Sequence, residues 1–279
     1  MLIKRGSLLS FFSSGFPAHV RLRAIDLSSP DMMTFYSPVS GEVVSVEEFT
    51  VGRPNRHASA PNDYVILLRI NGSTVKVLHV KPWVRPGELI EEGKPMGEFV
   101  SSPYTAGDFP HAHLEGLSYR FRSVTNYVES KVGRVVEVGR DYFDVEVLDY
   151  ASIGRLRGLG CCGGLLNVTF PYACYGGIIG GWDGTLEAFG IELGVRAIRV
   201  RRNVVLFEGK KGLLRNWESK ASFKVLRNEP VCGGRAIFEA VLSYGGRPRV
   251  RFFSKYSGRV GDRVELTRLV RHYLARQVP

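Results

Sequence analysis

Five of the six histidines, His19, His57, His79, His111 and His113, fall before residue 114; only His272 lies beyond it. Imidazole titrates near neutral pH and is the commonest metal ligand, so this skew marks the first half as the place for metal or proton chemistry. His111 and His113 stand at i and i+2, which on a strand projects both to one face. Two imidazoles there can ligate one metal together, or one can ligate while the other moves protons. His79 closes an apolar run where a core residue is expected, and can face the same spot. Asp26 sits inside Ala24-Ile25-Asp26-Leu27. A buried carboxylate is costly alone, so it needs a partner: a metal, or a cation such as Arg21 or Arg23. A His-Asp-His set leaves a fourth position open for water, as catalytic zinc requires. His57, within Arg53-Pro54-Asn55-Arg56-His57, reads as a solvated residue of a loop long enough to line a groove.

The elements that carry these residues read as short strands. Ser7 to Phe16 reads as the first strand. Val39 to Val46 partly alternates around Gly41-Glu42. Tyr64 to Ile70 is apolar and closed by Asn71-Gly72, a strong hairpin signal, and Thr74 to Val80 returns as its partner. Val84 to Ile90 and Glu92 to Gly97 make turns, and no long helical period appears before residue 116.

The chain has 279 residues, 44% hydrophobic and 23% charged, which suits one large or two modest globular domains and excludes disorder. No stretch approaches the roughly 20 apolar residues of a membrane-crossing helix. Lys4 and Arg5 precede a serine-rich run without a small-x-small cleavage site, a poor signal peptide, so the chain reads as cytoplasmic, with export as the lesser alternative. Residues 1–128 hold 13 Lys+Arg against 12 Asp+Glu, whereas residues 129–279 hold 25 against 15. Two halves with such different ionisable content read as two domains, 1–128 and 129–279.

Pro38-Val39-Ser40-Gly41-Glu42-Val43, Leu78-His79-Val80, Val84-x-Pro86-Gly87-x-Leu89-Ile90-x-x-Gly93-x-x-x-Gly97 and His111-Ala112-His113-Leu114-Glu115 follow one another in order. This series resembles the M23 family of zinc metallopeptidases, the LytM/lysostaphin-type enzymes, over roughly residues 15–116. The resemblance implies an antiparallel, barrel-sandwich-hybrid-like β-sheet core that hydrolyses a peptide bond, commonly in glycine-containing or peptidoglycan cross-bridge peptides. It also implies Zn2+ held by His19, Asp26 and His113, with His79 and His111 as the two non-ligand active-site histidines. The family's first motif places its histidine four residues before the aspartate, where this chain has Leu22. His19 is seven before, an odd separation that puts the two on opposite faces of a regular strand. The irregular Gly15-Phe16-Pro17 entry lets His19 arrive from a loop instead. The alternative is a non-catalytic M23-like binding or regulatory protein with a degenerate metal site. A lipoyl-like carrier shares the Val-x-Pro-Gly turn but lacks the Met-Lys or Asp-Lys tip of a carrier hairpin and leaves His111-x-His113 unexplained.

The second half reads as a β-rich domain with a C-terminal helix. Residues 133–138 and 142–147 flank Gly139-Arg140-Asp141 as a hairpin; residues 195–200 with 204–207, and 235–244 with 249–253, repeat the theme. Asp262 to Gln277 carries a helical apolar face with Asp262 near its start. Cys161-Cys162 is not a metal-ligand spacing, so both read as buried thiols in a Gly-rich turn region; Cys174 and Cys232 are assigned no role. Arg247-x-Arg249-x-Arg251 aligns basic residues along one strand face, suited to docking an anionic polymer or a partner protein. The chain has no RRM, KH or helix-turn-helix signature, which argues against nucleic acid.

Overall fold

The computed structural model describes residues 1–12, 17–51, 58–105, 107–117, 119–170, 175–208 and 237–275. Two compact units divide the chain. The first comprises Met1–Phe11 and Ala18–Tyr119; Phe12, Pro17 and residues 120–208 and 237–275 belong to the second. The fold is mainly β and antiparallel throughout, as the alternation of apolar residues and turn signals predicts.

In the first unit, β1 (Leu8–Ser10) and the helical turn α1 (Pro17–Val20), of which Ala18–Val20 belong to this unit, lead into β2 (Ala24–Leu27), β3 (Thr34–Tyr36), β4 (Gly41–Thr50) and β5 (Asn62–Ile70). There follow β6 (Ser73–Leu78), β7 (Val80–Pro82), β8 (Leu89–Ile90), β9 (Pro95–Phe99) and β10 (Ala112–Glu115). The main sheet runs β8-β4-β5-β6-β10-β2-β1. A smaller sheet, β3-β9-β7, accompanies it. The β5–β6 hairpin turns on Asn71 and Gly72, whose φ values of 47° and 78° are the left-handed pair that an Asn-Gly turn supplies at little cost. Ile66, Leu68, Val75 and Val77 alternate along this hairpin and are buried, together with Ile25, Phe35, Met96 and Leu114.

One expectation changes here. Thr74 to Val80 is not one strand: β6 ends at Leu78, His79 takes a left-handed φ of 68°, and Val80 begins a strand of the other sheet. Periodicity cannot register such a kink, because the apolar pattern continues across it.

The second unit contains β11 (Val132–Val138), β12 (Phe143–Val147), β13 (Ala151–Ile153), β14 (Leu156–Cys161), β15 (Gly164–Phe170) and β16 (Tyr175–Ile179). After the small pair β17 (Glu187–Ala188) and β18 (Ile191–Glu192) come β19 (Arg196–Arg201), β20 (Val204–Glu208), β21 (Phe238–Tyr244), β22 (Arg249–Phe252), β23 (Arg263–Glu265) and α2 (Leu266–Ala275). Strand neighbours run β23-β11-β12-β22-β21-β15-β16-β20-β19, with β14 paired to both β15 and β21. The core is aromatic: Phe143 stacks on Phe252 with ring centroids 4.9 Å apart, and Phe238 and Tyr273 close around them.

The C-terminal helix starts later than its apolar pattern suggests. Arg263–Glu265 is drawn into β23, where Val264 pairs with Gly133, and the helix begins at Leu266. Asp262 accepts the Arg259 N–H and the Tyr256 hydroxyl, closing a turn rather than capping the helix. Residues 276–279, which include Gln277, lie outside the described residues, as do His57, Cys174 and Cys232.

Candidate metal centre

His19 reaches the site by a route that its spacing to Asp26 conceals. Pro17 opens the helical turn α1, where its fixed φ suits the first helical position. The turn is closed by two hydrogen bonds, Leu22 N–H to the His19 carbonyl at 2.9 Å and Arg23 N–H to the Ala18 carbonyl at 3.0 Å. That 5→2 and 6→1 pair is a Schellman closure, and Leu22, with φ 58°, occupies the left-handed position usually given to glycine. The chain thus reverses between His19 and β2, so strand parity does not apply. Leu22 shapes the turn that presents His19.

Asp26 and His113 meet through register. Asp26 on β2 lies directly opposite His113 on β10, and His113 lies opposite Leu78 on β6. Directly opposed residues share a face, so the two side chains converge. His113 Nδ1 is 2.8 Å from Asp26 Oδ1, and His19 Nε2 is 3.2 Å from that oxygen and 3.1 Å from His113 Nδ1. All three residues are buried, and they form the one group of at least three potential metal ligands among the described residues. Arg21 and Arg23, the alternative partners for Asp26, are exposed.

The far edge of each ring decides which lone pairs face inward. His19 Nδ1 is 2.7 Å from the Phe11 carbonyl, which can only accept, so this nitrogen carries the proton. Neutral His19 then presents a bare Nε2. His113 Nε2 donates to Glu115 Oε1 at 3.1 Å, and Lys76 holds the same oxygen at 3.0 Å. Burial alone would raise the Glu115 pKa, yet the bonds from His113 and Lys76 bring it to about 2, so it is an ionised acceptor. Neutral His113 therefore presents a bare Nδ1.

Two imidazole nitrogens and a carboxylate oxygen point at one another with separations of 2.8–3.2 Å. Burial would raise the Asp26 pKa, but the neighbouring His19 and His111 rings and the imidazole hydrogen bonds hold it well below the usual carboxylate range. Burial works against charging His113, but its bonds to Asp26 and Glu115 prevail and raise its pKa. One proton on His113 Nδ1 can join two of the three acceptors. A cation joins all three. The edge of a tetrahedron with metal–nitrogen bonds of about 2.05 Å is about 3.3 Å, close to these separations, so the trio fits a tetrahedral metal ion.

His79 and His111 flank the trio. The His79 ring centroid is 5.7 Å from that of His111 and 6.1 Å from that of His113. Asp63 holds His79 at two points, accepting its backbone N–H at 3.1 Å and its Nδ1–H at 2.6 Å. Asp63 Oδ2 also accepts the Ser102 hydroxyl at 2.7 Å, and Oδ1 accepts the Tyr64 N–H. These bonds sustain a left-handed backbone that costs a non-glycine residue about 1–2 kcal/mol, and such strain clusters at functional sites. His111 donates Nδ1–H to the Phe109 carbonyl at 2.6 Å, which turns Nε2 to within 4.0 Å of Asp26 Oδ1. Burial lowers its pKa. The His111 side chain is 13% exposed against 0–1% for His19, His79 and His113, so the site meets solvent on the His111 side.

The structure thus gathers His19, Asp26, His79, His111 and His113. Sequence reasoning missed Asp63 and Ser102. Asp63 carried the same signal as Asp26, a carboxylate entering an apolar strand. Ser102, in a loop, carried none, and the Phe11 and Phe109 carbonyls are backbone groups that no residue type announces.

Residues 1–130 match a family model described as the N-terminal domain of a domain of unknown function, DUF8155. No curated protein and no solved structure matches the chain.

Proposed function

We propose that the first unit is a zinc-dependent metallopeptidase domain of the M23 type. The observation that carries this reading is the convergence of three inward-facing acceptors beside two anchored histidines. Zinc held by His19 Nε2, Asp26 Oδ1 and His113 Nδ1 would polarise a scissile carbonyl and lower the pKa of a water in its fourth position to about 7. His111, its pKa lowered by burial and its Nδ1–H fixed on the Phe109 carbonyl, accepts a proton at Nε2. His79, its Nδ1–H held by Asp63, presents an unprotonated Nε2 that accepts a hydrogen bond from the attacking water, while the proton taken up at His111 Nε2 passes on to the leaving amine. Glu115 and Phe11 lock the two ligand rings, as outer partners of metal-binding histidines do. The substrate class is a peptide, with glycine-containing or peptidoglycan-like peptides the first to screen.

A second reading, a metal-free binding domain, draws on the same network: a proton on His113 Nδ1 lets Asp26 and Glu115 satisfy that ring without an ion. Elemental analysis of untagged protein separates the two. About one zinc per chain, lost in His19→Ala and His113→Ala but kept in His79→Ala, with peptide cleavage lost in all three, is the expected result. No zinc in the wild type after reconstitution overturns the peptidase reading.

For the second unit we propose docking to an anionic polymer. Arg263, Arg134, Glu146 and Arg249 form one row across β23, β11, β12 and β22, with two arginines directly opposed. Like charges so placed are destabilising until an anion lies across them. Arg251 takes no part: it is 6% exposed and bonds Asp144 through Nε and Nη2 at 2.7 and 2.9 Å. No helix among the described residues is long and apolar enough to cross a membrane.

A further inference from the structure

Successive side chains of a strand point to opposite faces, so adjacent cysteines on a regular strand cannot share a ligand. Cys161 and Cys162 escape that rule. Cys161 ends β14, and the chain reverses into β15 through Cys162 and Gly163, with left-handed φ values of 55° and 80°. The reversal brings both thiols onto one acceptor, the Glu187 carbonyl, with Cys161 Sγ at 3.3 Å and Cys162 Sγ at 3.2 Å. Both residues are 4% exposed and carry free thiols.

The pair forms one wall of a cavity of about 320 Å³, within the second unit, that also presents Tyr127, Glu129, Asp183, Thr185 and Glu187. Three carboxylates and no lysine or arginine line it. Lys131, which does not line it, pairs with Glu129 at 3.6 Å, and the cavity keeps a negative balance. A thiol pair in such a place can close to a disulfide or take a cation. The disulfide is disfavoured: neighbouring Cα atoms are about 3.8 Å apart, short of the roughly 4.4–6.8 Å an unstrained disulfide spans. Acidic walls also repel anionic disulfide oxidants and attract cations. Zinc needs four ligands, and the thiols belong to no group of three closely spaced ligand atoms among the described residues. Soft thiolate donors select a cuprous ion, which two sulfurs satisfy.

We propose that Cys161 and Cys162 form a two-sulfur site for a soft monovalent cation, with the cuprous ion as its ligand. On binding, both S–H bonds break, the two protons leave to water, and the cation takes both sulfurs with no change of oxidation state.

The test uses the full chain carrying Cys174→Ser and Cys232→Ser, titrated with cuprous ion against a chromophoric chelator. One ion protected per thiol pair is expected. Adding Cys162→Ser weakens its binding by about a hundredfold or more, since even outer-shell changes at metal sites cost about 10–100-fold. Peptide mapping after alkylation removes any doubt about folding of the variants: in otherwise unaltered protein, the cuprous ion must shield the Cys161-Cys162 peptide from the reagent. Undiminished affinity in the Cys161→Ser/Cys162→Ser variant, unshielded thiols, or zinc held there more tightly than copper overturns the proposal.

Discussion

Asp63→Asn is the substitution that most sharply tests how the site is held. The Asp63 carboxylate accepts four hydrogen bonds: Tyr64 N–H and His79 N–H on Oδ1, His79 Nδ1–H and Ser102 O–H on Oδ2. An asparagine has one oxygen. Keeping the oxygen on the two backbone donors, which cannot change role, turns its amide NH2 toward His79 Nδ1 and Ser102. Both can respond by accepting, and for His79 that means moving its proton to Nε2. The side chain stays in place while the imidazole adopts the wrong tautomer. Bonds to a charged acceptor contribute about 1.5–3 kcal/mol and neutral ones about 0.5–1.5, so four weakened bonds cost about 4 kcal/mol. Burying an amide in place of a carboxylate recovers part of this, leaving a loss of about 2 kcal/mol.

Asp63→Ala strands the same donors and costs more, about 4 kcal/mol or above, because each buried unsatisfied donor costs about 1–3. Long-range imidazole proton–nitrogen correlations report the tautomer directly, denaturant unfolding the stability, and elemental analysis the metal. We expect His79 to switch from Nδ1–H to Nε2–H, metal content to hold, and peptide hydrolysis to fall about 10²–10⁴-fold. Acid stability provides a further readout. Burial would raise the Asp63 pKa, but the neighbouring His79 ring and the hydrogen bonds hold it below the ordinary value. A carboxylate so lowered contributes stability above its unfolded pKa of about 4, lost as pH falls through the folded value, and Asp63→Asn removes that limb. An unchanged His79 tautomer, or hydrolysis within a few-fold of wild type, refutes the reasoning.

Three further substitutions probe other links. Glu115→Gln removes the ionised acceptor of His113 Nε2–H, and metal affinity should fall about 10–100-fold in a chelator competition while the fold is kept. Leu22→Gly relieves a left-handed leucine at the Schellman position and should stabilise the first unit by about 1 kcal/mol in urea unfolding, whereas Leu22→Val should destabilise it. Asp144→Ala removes the carboxylate that holds the buried Arg251 guanidinium and should cost about 3–5 kcal/mol, while Asp144→Leu with Arg251→Met should recover most of that loss by the same measurement.

The β-rich class and most of the hairpins were legible in residue order. Alternation of apolar residues and an Asn-Gly turn are local signals, set by the pleat and by which residues tolerate left-handed backbone. The histidines announced themselves by type and by the i, i+2 spacing of His111 and His113, which needs only a strand to be meaningful. Other features depend on partners distant in sequence. That His113 stands opposite Asp26 is a matter of register across strands 87 positions apart. That His19 joins them depends on a turn whose leucine takes a glycine's conformation. The kink at His79 is invisible to periodicity, because it redirects the chain between two sheets without interrupting the apolar pattern. The tautomers rest on backbone carbonyls of Phe11 and Phe109, groups every residue possesses and only the tertiary fold can aim. The adjacent cysteines make the same point: their spacing forbids a shared ligand on a strand, and only the reversal at Cys162 turns both sulfurs to one side.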